Sequence, residues 1–492
     1  MIKLKPFQVK WLGLLAGVVC LLCVLMFANF GAEYQNAKIV AAIAVLMSVW
    51  WITEAAPLSV TSLIPLALFP LFGVVSGAVT AESYMNSTII LFMGGFIIAI
   101  AMEKWNLHKR IALKVIKIFG SSPSKIILGF MVAAGFISMW ISNTATCLMI
   151  LPIGLAIIYK VENEFGEEKS VNFSKSLMLA IAYASSIGGI GTFIGTPPNL
   201  IFQRMYAINF PNNPQLKFGE WMIFAVPLAI VMTIIGWLVL TKVIFKLNDN
   251  LVLDKKIVEE EYQKLGKITY EEKAVLYVFV LTSLLWIFRS DLELSFVKIP
   301  GWSGLFSSSN LIDDSTVAVA MALALFLIPR KNRKDEHNFI LSGDAIMKVP
   351  WDIVLLFGGG FALAEGFVQS GLSQFIGHEF AALKGFPFVA LIFILCTIIV
   401  FSSELTSNTA QTTIILPILA SLAKELGVNP LSIMIPATLS VSLAFMLPVG
   451  TPPNAIVFSS KRLKVWDMVK AGFMLNIIGI ILVTILAYLL FD

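Results

Sequence analysis

Ser142-Asn143-Thr144-Ala145 interrupts an apolar run over 126–158, and Ser407-Asn408-Thr409-Ala410 interrupts a second run over 386–420. Each run is long enough to enter a bilayer, turn and leave on the same side. A polar cluster halfway along a single spanning helix would sit where lipid tolerates it least. At the tip of a re-entrant hairpin, the same cluster places hydroxyls, an amide and freed backbone groups at mid-membrane depth. The two tetrapeptides stand 265 positions apart, and two neighbours keep that offset. Phe92-Met93-Gly94-Gly95-Phe96 returns as Phe357-Gly358-Gly359-Gly360-Phe361, and Leu151-Pro152 returns as Leu416-Pro417. Gly195-Thr196-Pro197-Pro198-Asn199 returns as Gly450-Thr451-Pro452-Pro453-Asn454 at an offset of 255, after the longer polar loop 160–175 of the first half. Four matches in one order mark a duplicated unit.

Outward from these motifs, the 492 residues are 58% hydrophobic and 13% charged. Soluble chains carry roughly a quarter charged residues, so an ordinary soluble enzyme, a disordered chain and a nucleic-acid binder are excluded. About 20 apolar residues cross a bilayer as a helix. Beside the two hairpins, spans are expected near 11–30, 39–56, 58–77, 88–103, 177–203, 221–245, 274–288, 315–329, 352–369, 431–458 and 471–491. Four cysteines and three histidines are too few and scattered for a disulfide framework or a zinc site. Cys20-x-x-Cys23 lies inside an apolar run and reads as filler.

The charges test this layout. With the N-terminus inside, eleven spans and two hairpins put 28 of the 35 basic residues on the inner side, among them Lys3, Lys5, Lys10, Lys109, Arg110, Lys255, Arg333, Lys334 and Arg462. Lys38, Arg204, Lys217, Arg289, Lys298, Lys384 and Lys424 remain outside. That asymmetry is the positive-inside pattern, and counting either hairpin as one span scrambles it. It places the N-terminus in the cytoplasm and the C-terminus outside, in a cell inner (plasma) membrane. The organisation expected is 1–87 N-terminal scaffold spans, 88–245 first repeat core, 246–273 cytoplasmic connector carrying Asp254, 274–351 scaffold spans and connector, and 352–492 second repeat core.

Five spans lie between the hairpins, so the second unit is upside down relative to the first. Inverted repeats are an architecture of secondary transporters, with the substrate site near the midplane where broken helices meet. Gly-Thr-Pro-Pro inside an apolar run breaks its helix, because proline lacks the N–H and clashes with the preceding turn. Unwound backbone is tolerated there only when buried or lining a cavity. Its carbonyls suit a small hard cation while helix N-termini face an anion. No Lys or Arg lies in or beside the four motif segments, so a bound anion must be met by hydroxyls, amides, helix ends and co-bound cations. The glycine clusters are read as close helix packing, and Glu54 and Glu365 as interfacial or connector positions. Glu404, three residues before Ser407, is a candidate for a polar role near the site. His108, His337 and His378 fall in connectors, which leaves a histidine proton relay without support. No nucleophile–base pair or metal cluster appears at membrane depth, so an intramembrane enzyme is the weakest class.

The paired Ser-Asn-Thr and Gly-Thr-Pro-Pro motifs, with Trp51-Ile52-Thr53-Glu54-Ala55-Ala56-Pro57 upstream, closely resemble the divalent anion/sodium symporter family over essentially the whole chain. The resemblance implies an all-α polytopic membrane protein of about 11 spans and two hairpins. It implies a homodimer whose protomers each have a scaffold domain and a transport domain moving as an elevator. Carried over by position, one sodium site is Ser138, Ser142, Asn143 and Gly195, and the other Ser403, Thr406, Asn408 and Gly450. The dicarboxylate is then held by Ser142, Asn143, Thr144, Ser407, Asn408 and Thr409, with Thr196 and Thr451 contributing. The function implied is sodium-coupled import of a C4-dicarboxylate such as succinate, fumarate or malate, with no cofactor and no nucleic acid. A sodium-independent dicarboxylate exchanger and a sulfate or tricarboxylate carrier stay open within the family. An anion channel or a membrane receptor is the competing class.

Overall fold

The computed structural model describes residues 6–119, 122–247, 256–294, 297–331 and 338–491. Lys3, Lys5, Asp254, Lys255, Arg333, Lys334 and His337, all used in reading the sequence, lie outside those residues. Among the described residues the chain is helical apart from one small hairpin, in which Leu292–Leu294 pairs antiparallel with Val297–Ile299. Seven helices are long and apolar enough to cross a bilayer, and shorter apolar helices accompany them. This is an all-α polytopic membrane fold.

Local chemistry starts the passes. The Asn86 side chain accepts from the N–H groups of Thr88 and Ile89 and opens helix Ser87–Lys104. Thr269 and Glu272 form a capping box at the head of Tyr270–Ile287, and Asp313 caps Asp314–Leu327. One expected span is not a continuous helix. Over 58–77 the chain makes two short helices, Leu58–Thr61 and Ile64–Leu71, and then turns into Gly77–Glu82. Pro57, Pro65 and Pro70 supply no N–H there, and Gly73 takes φ +69°, a left-handed value that stops helix growth.

Both long polar-centred runs are helical hairpins. The first consists of Pro123–Ser138 and Asn143–Phe165 around the turn 139–142. The second consists of Phe388–Ser403 and Asn408–Leu426 around the turn 404–407. Each is followed by a discontinuous helix. Glu167–Gly189 unwinds over 190–196 and resumes as Pro197–Asn209, and Leu431–Val441 unwinds over 442–451 and resumes as Pro452–Ser459. In both, the Pro-Pro pair opens the new helix, where the N–H groups it lacks would be unsatisfied anyway. Hairpin and broken helix meet backbone to backbone in the first half. A Cβ on Gly188 would lie 2.2 Å from the Gly135 carbonyl oxygen, so only glycine fits. The glycine clusters pack as tightly: a Cβ on Gly94 would fall 2.6 Å from Ala318 Cβ, and one on Gly359 would fall 2.4 Å from the Ser62 carbonyl.

The largest buried apolar cluster draws on both hairpins, both broken helices and the last helix, Val465–Phe491. Two further helices hold charged residues: one lies where the sequence suggests only a basic connector, the other in the mixed-charge connector of helical character. Leu107–Ile118 is amphipathic and holds Arg110 in a buried ion pair with Glu272, at 2.9 Å. Lys256–Lys264, inside the 246–273 connector, carries Glu259 paired with Lys117 and Glu260 paired with Lys160. His108 belongs to the first of these helices. It is buried, with Nδ1 3.0 Å from the Met102 carbonyl, and so is not the connector residue expected. His378 sits at the surface of helix Leu372–Glu379. Glu365, read as interfacial, lies within Trp351–Gln369 and accepts from Gln369 Nε2 at 2.7 Å.

Candidate functional site

Four helix N-termini converge on one cavity of about 590 Å³. They belong to the outgoing arms of the two hairpins and to the resumed halves of the two broken helices. Each N-cap position carries a hydroxyl: Ser142, Thr196, Ser407 and Thr451. Ser142 Oγ accepts from Ala145 N at 3.3 Å and Thr451 Oγ1 from Asn454 N at 3.3 Å, whereas Ser407 and Thr196 make no side-chain cap bond. The positive ends of four helix dipoles thus meet at the cavity, and the two hairpin arms add first-turn N–H groups that the Pro-Pro starts of the other two lack, which is an anion-binding arrangement. All eight residues expected from sequence to hold substrate line it: Ser142, Asn143, Thr144, Thr196, Ser407, Asn408, Thr409 and Thr451. Among the described residues no Lys, Arg or His lines it, and Glu54 is its one ionisable lining residue. Glu54, read as an interfacial or connector position, thus also lines the cavity. It ends helix Gln35–Thr53 in a left-handed conformation, φ 47°, and lines the cavity together with Trp51 and Pro350.

Behind the first hairpin tip lies a cluster of oxygens. Around the Asn143 amide stand the Ser138 hydroxyl at 2.8 Å, the Ser185 carbonyl at 3.1 Å and the Gly195 carbonyl at 3.2 Å. With the amide oxygen turned toward them, the set is the all-oxygen ligand group of a small hard cation. With the NH₂ turned toward them, the amide donates to all three and the cluster is satisfied without an ion. Ser138 is fully buried, and its hydroxyl also donates to the Ser185 carbonyl at 2.6 Å. The Ser185 carbonyl is a member that sequence reading missed, because a main-chain oxygen leaves no residue-type signal. Ser142, the remaining expected cation residue of this half, caps the helix beside Asn143.

The second tip is built differently. Ser403 is buried and donates to the Val400 carbonyl at 2.7 Å, while Thr406 donates to the Ser402 carbonyl at 3.0 Å and lies 3.1 Å from Gln411 Oε1. Asn408 Oδ1 is buried without a partner, and Gly450 lies close against the Glu404 carboxylate. The Ser403, Thr406, Asn408 and Gly450 group is thus gathered at one tip, but the Ser403 hydroxyl is committed to its own helix and that of Thr406 to Ser402 and Gln411 on the two arms.

Two braces hold the unwound backbone. Asn199 Nδ2 donates to the carbonyls of Gly189, Ile190 and Thr192, and Asn454 Nδ2 donates to those of Ala444 and Leu447. These asparagines are the fifth residues of the two Gly-Thr-Pro-Pro-Asn motifs, so the signal stood in the sequence without a role attached. The second brace differs between halves. In the first, Thr192 Oγ1 donates to the Met139 carbonyl at 2.5 Å and accepts from Gly195 N at 3.1 Å. In the second, the buried Glu404 carboxylate accepts from Met446 N at 2.8 Å, Leu447 N at 2.9 Å and Asn476 Nδ2 at 2.7 Å. Glu404 therefore ties the hairpin turn, the unwound segment and the last helix together.

A family model described as the sodium:sulfate symporter transmembrane region matches residues 8–491. The chain belongs to the divalent anion/sodium symporter family. Members of this family are transporters, not enzymes, and the chain is a multi-pass membrane protein. Sodium-dependent dicarboxylate transporter SdcS of Staphylococcus aureus is 41% identical over 493 aligned positions, covering 99% of this chain and 92% of SdcS. SdcS from several strains of that species matches at the same 41% identity. Among solved structures, the Alcanivorax borkumensis YdaH transporter superposes with a TM-score of 0.54 at 11% identity, covering 92% of this chain and 98% of that one. That likeness is one of fold. For a symporter of this family, the two repeated tips and two repeated breaks are the parts that meet at the cavity.

Proposed function

We propose that this family member imports a C4-dicarboxylate such as succinate, fumarate or malate together with sodium ions across a bacterial plasma membrane. The observation that carries the reading is the convergence of four helix N-termini, each with a hydroxyl residue at its N-cap position, on a cavity with no basic residue among its described lining. Such a cavity stabilises two separated carboxylates by the partial charges at its helix N-termini. It cannot neutralise a dianion alone, because burying unpaired charge is costly. Cations at the two tips supply the rest, so anion and sodium each lower the cost of binding the other. The sodium dependence printed in the name of SdcS supports the same coupling. The oxygens around Asn143 suit one sodium ion, and those around Asn408 a second.

Glu54 and Pro350 line the cavity, and Pro350 stands two residues from Lys348, on the basic, cytoplasmic face under the positive-inside assignment. This conformation is then the inward-facing one. Hairpins and broken helices form a transport domain that carries the site past a scaffold as an elevator within a homodimer, the second repeat being inverted relative to the first. The N-terminus is cytoplasmic and the C-terminus outside.

Purified protein in liposomes tests the reading. Labelled succinate should accumulate when sodium is present outside, without dicarboxylate preloaded inside. Uptake unchanged when potassium replaces sodium would overturn the coupling, and uptake that needs internal dicarboxylate would make the protein an exchanger.

A further inference from the structure

A second pocket, of about 200 Å³, lies at the opposite end of helix Ser87–Lys104 from Lys348. Helix Ser87–Lys104 gives the direction. Its Lys104 end lies near Arg330 and Lys348, whereas its Ser87 end lines this pocket. The other walls come from Gln203 and Arg204 on the resumed half of the first broken helix, from Lys217, and from Arg289 with Asp313 and Asp314.

The charges in this pocket are unevenly matched. Asp314 is engaged by Arg289 at 2.5 Å, and Arg289 also donates to the Ile312 carbonyl. Asp313 caps its helix through Thr316 N at 2.9 Å and accepts from Ser315 Oγ at 2.6 Å. Lys217 pairs with Glu220 at 3.5 Å. Among the described residues Arg204 finds neither an ion pair nor a hydrogen bond, and its Nε is buried without a partner. Glu365 acts on it through space but makes no contact with it. The adjacent Gln203 is also without a hydrogen bond among the described residues, and its buried Oε1 lacks a donor. A guanidinium presents a planar fork of donors, and leaving a buried donor of a charged group unmet is costly. Turned about its amide, Gln203 can offer its NH₂ beside that fork.

We propose that this pocket is a binding site for a small oxyanion, a phosphate or carboxylate group, seated on the Arg204 guanidinium. Bidentate contact with Arg204 and a bond from the Gln203 amide would satisfy both side chains. Ser87 and Lys217 would join it from the opposite wall. The oxyanion therefore links the broken helix to the passes beside it and favours this conformation. The proposal does not depend on sodium-coupled dicarboxylate import.

The test uses the full-length protein in detergent, in potassium buffer, with inorganic phosphate as the probe against chloride at equal ionic strength. Arginine-selective modification by phenylglyoxal is read at Arg204 by peptide mass spectrometry. Phosphate should slow modification of Arg204 several-fold and raise the thermal midpoint, and Arg204→Gln should lose that rise. Asn143→Ala/Asn408→Ala, altered only at the central cavity, should keep the protection. In phosphate-free nanodiscs, protection by phosphatidylglycerol but not phosphatidylcholine would name a lipid headgroup as the source and still support the site. Equal modification of Arg204 in all media, a thermal rise retained by Arg204→Gln, or protection lost in the double variant would overturn it. The modification readout needs no variant, so a misfolded Arg204→Gln protein leaves the test intact.

Discussion

Phe92 and Phe357 occupy the same position in the two copies of their motif, and they pack against each other with ring centroids 4.9 Å apart. Both are buried, on helices Ser87–Lys104 and Trp351–Gln369, so the two copies meet at these rings. Truncating either leaves a hole that rigid neighbours cannot close. Phe92→Ala and Phe357→Ala should each cost about 3–5 kcal/mol of stability. Because the rings share one contact, the double variant should lose less than the sum of the two. Thermal unfolding in detergent of the two single variants and the double variant checks this. Strict additivity would mean that the rings do not support each other.

Glu404 supplies the second prediction. Glutamine keeps the shape but presents an NH₂ to backbone donors that now meet a carboxylate oxygen, so at least one of the Met446, Leu447 and Asn476 donors is stranded. A hydrogen bond to a charged group is worth about 1.5–3 kcal/mol. Glu404→Gln should lower the thermal midpoint and, by loosening the unwound backbone at Gly450, require more sodium for half-maximal uptake. An unchanged sodium curve together with a lowered midpoint would confine Glu404 to stability.

The difference between Asn143 and Ser185 shows what the sequence can and cannot carry. Asn143 is visible because a polar side chain in the middle of an apolar run has few structural excuses, and because it recurs at Asn408. The same logic exposes both hairpins and both broken helices, since Pro-Pro and Ser-Asn-Thr break the apolar pattern. Ser185 lines the oxygen cluster through its main chain, and nothing in an apolar helix such as Glu167–Gly189 announces which carbonyl will be used. The stretch expected as one helix over 58–77 is broken for the converse reason: composition counts apolar residues but not Pro65, Pro70 and the left-handed Gly73. Leu107–Ile118 is hidden because its charge reads as connector, although its apolar side is buried on the hairpin.

Asn143→Ala should remove the amide from the oxygen cluster at the first tip and abolish sodium-driven succinate uptake. The Ser138 hydroxyl keeps its bond to the Ser185 carbonyl, so the fold survives and the thermal midpoint should change little. Asn408→Ala should act in the same way at the second tip, where the amide oxygen already lacks a partner. Uptake in liposomes and thermal unfolding are measured on the same preparations. Normal transport by both variants would refute the assignment of these residues to the site.

Arg110 and Glu272 supply the last prediction. Their side chains are 9% and 5% exposed, and Arg110 also donates to the carbonyls of Leu265 and Gly266. Removing one partner of a buried pair strands the other charge and costs about 3–5 kcal/mol. Arg110→Met should therefore lower the thermal midpoint sharply. Adding Glu272→Gln should restore part of that loss: the stranded charge is gone, while the substituted amide oxygen can still accept from Thr269 N and preserve the helix cap. If the double variant is no more stable than Arg110→Met, the cost lies in the lost carbonyl contacts of Arg110 rather than in the unpaired carboxylate.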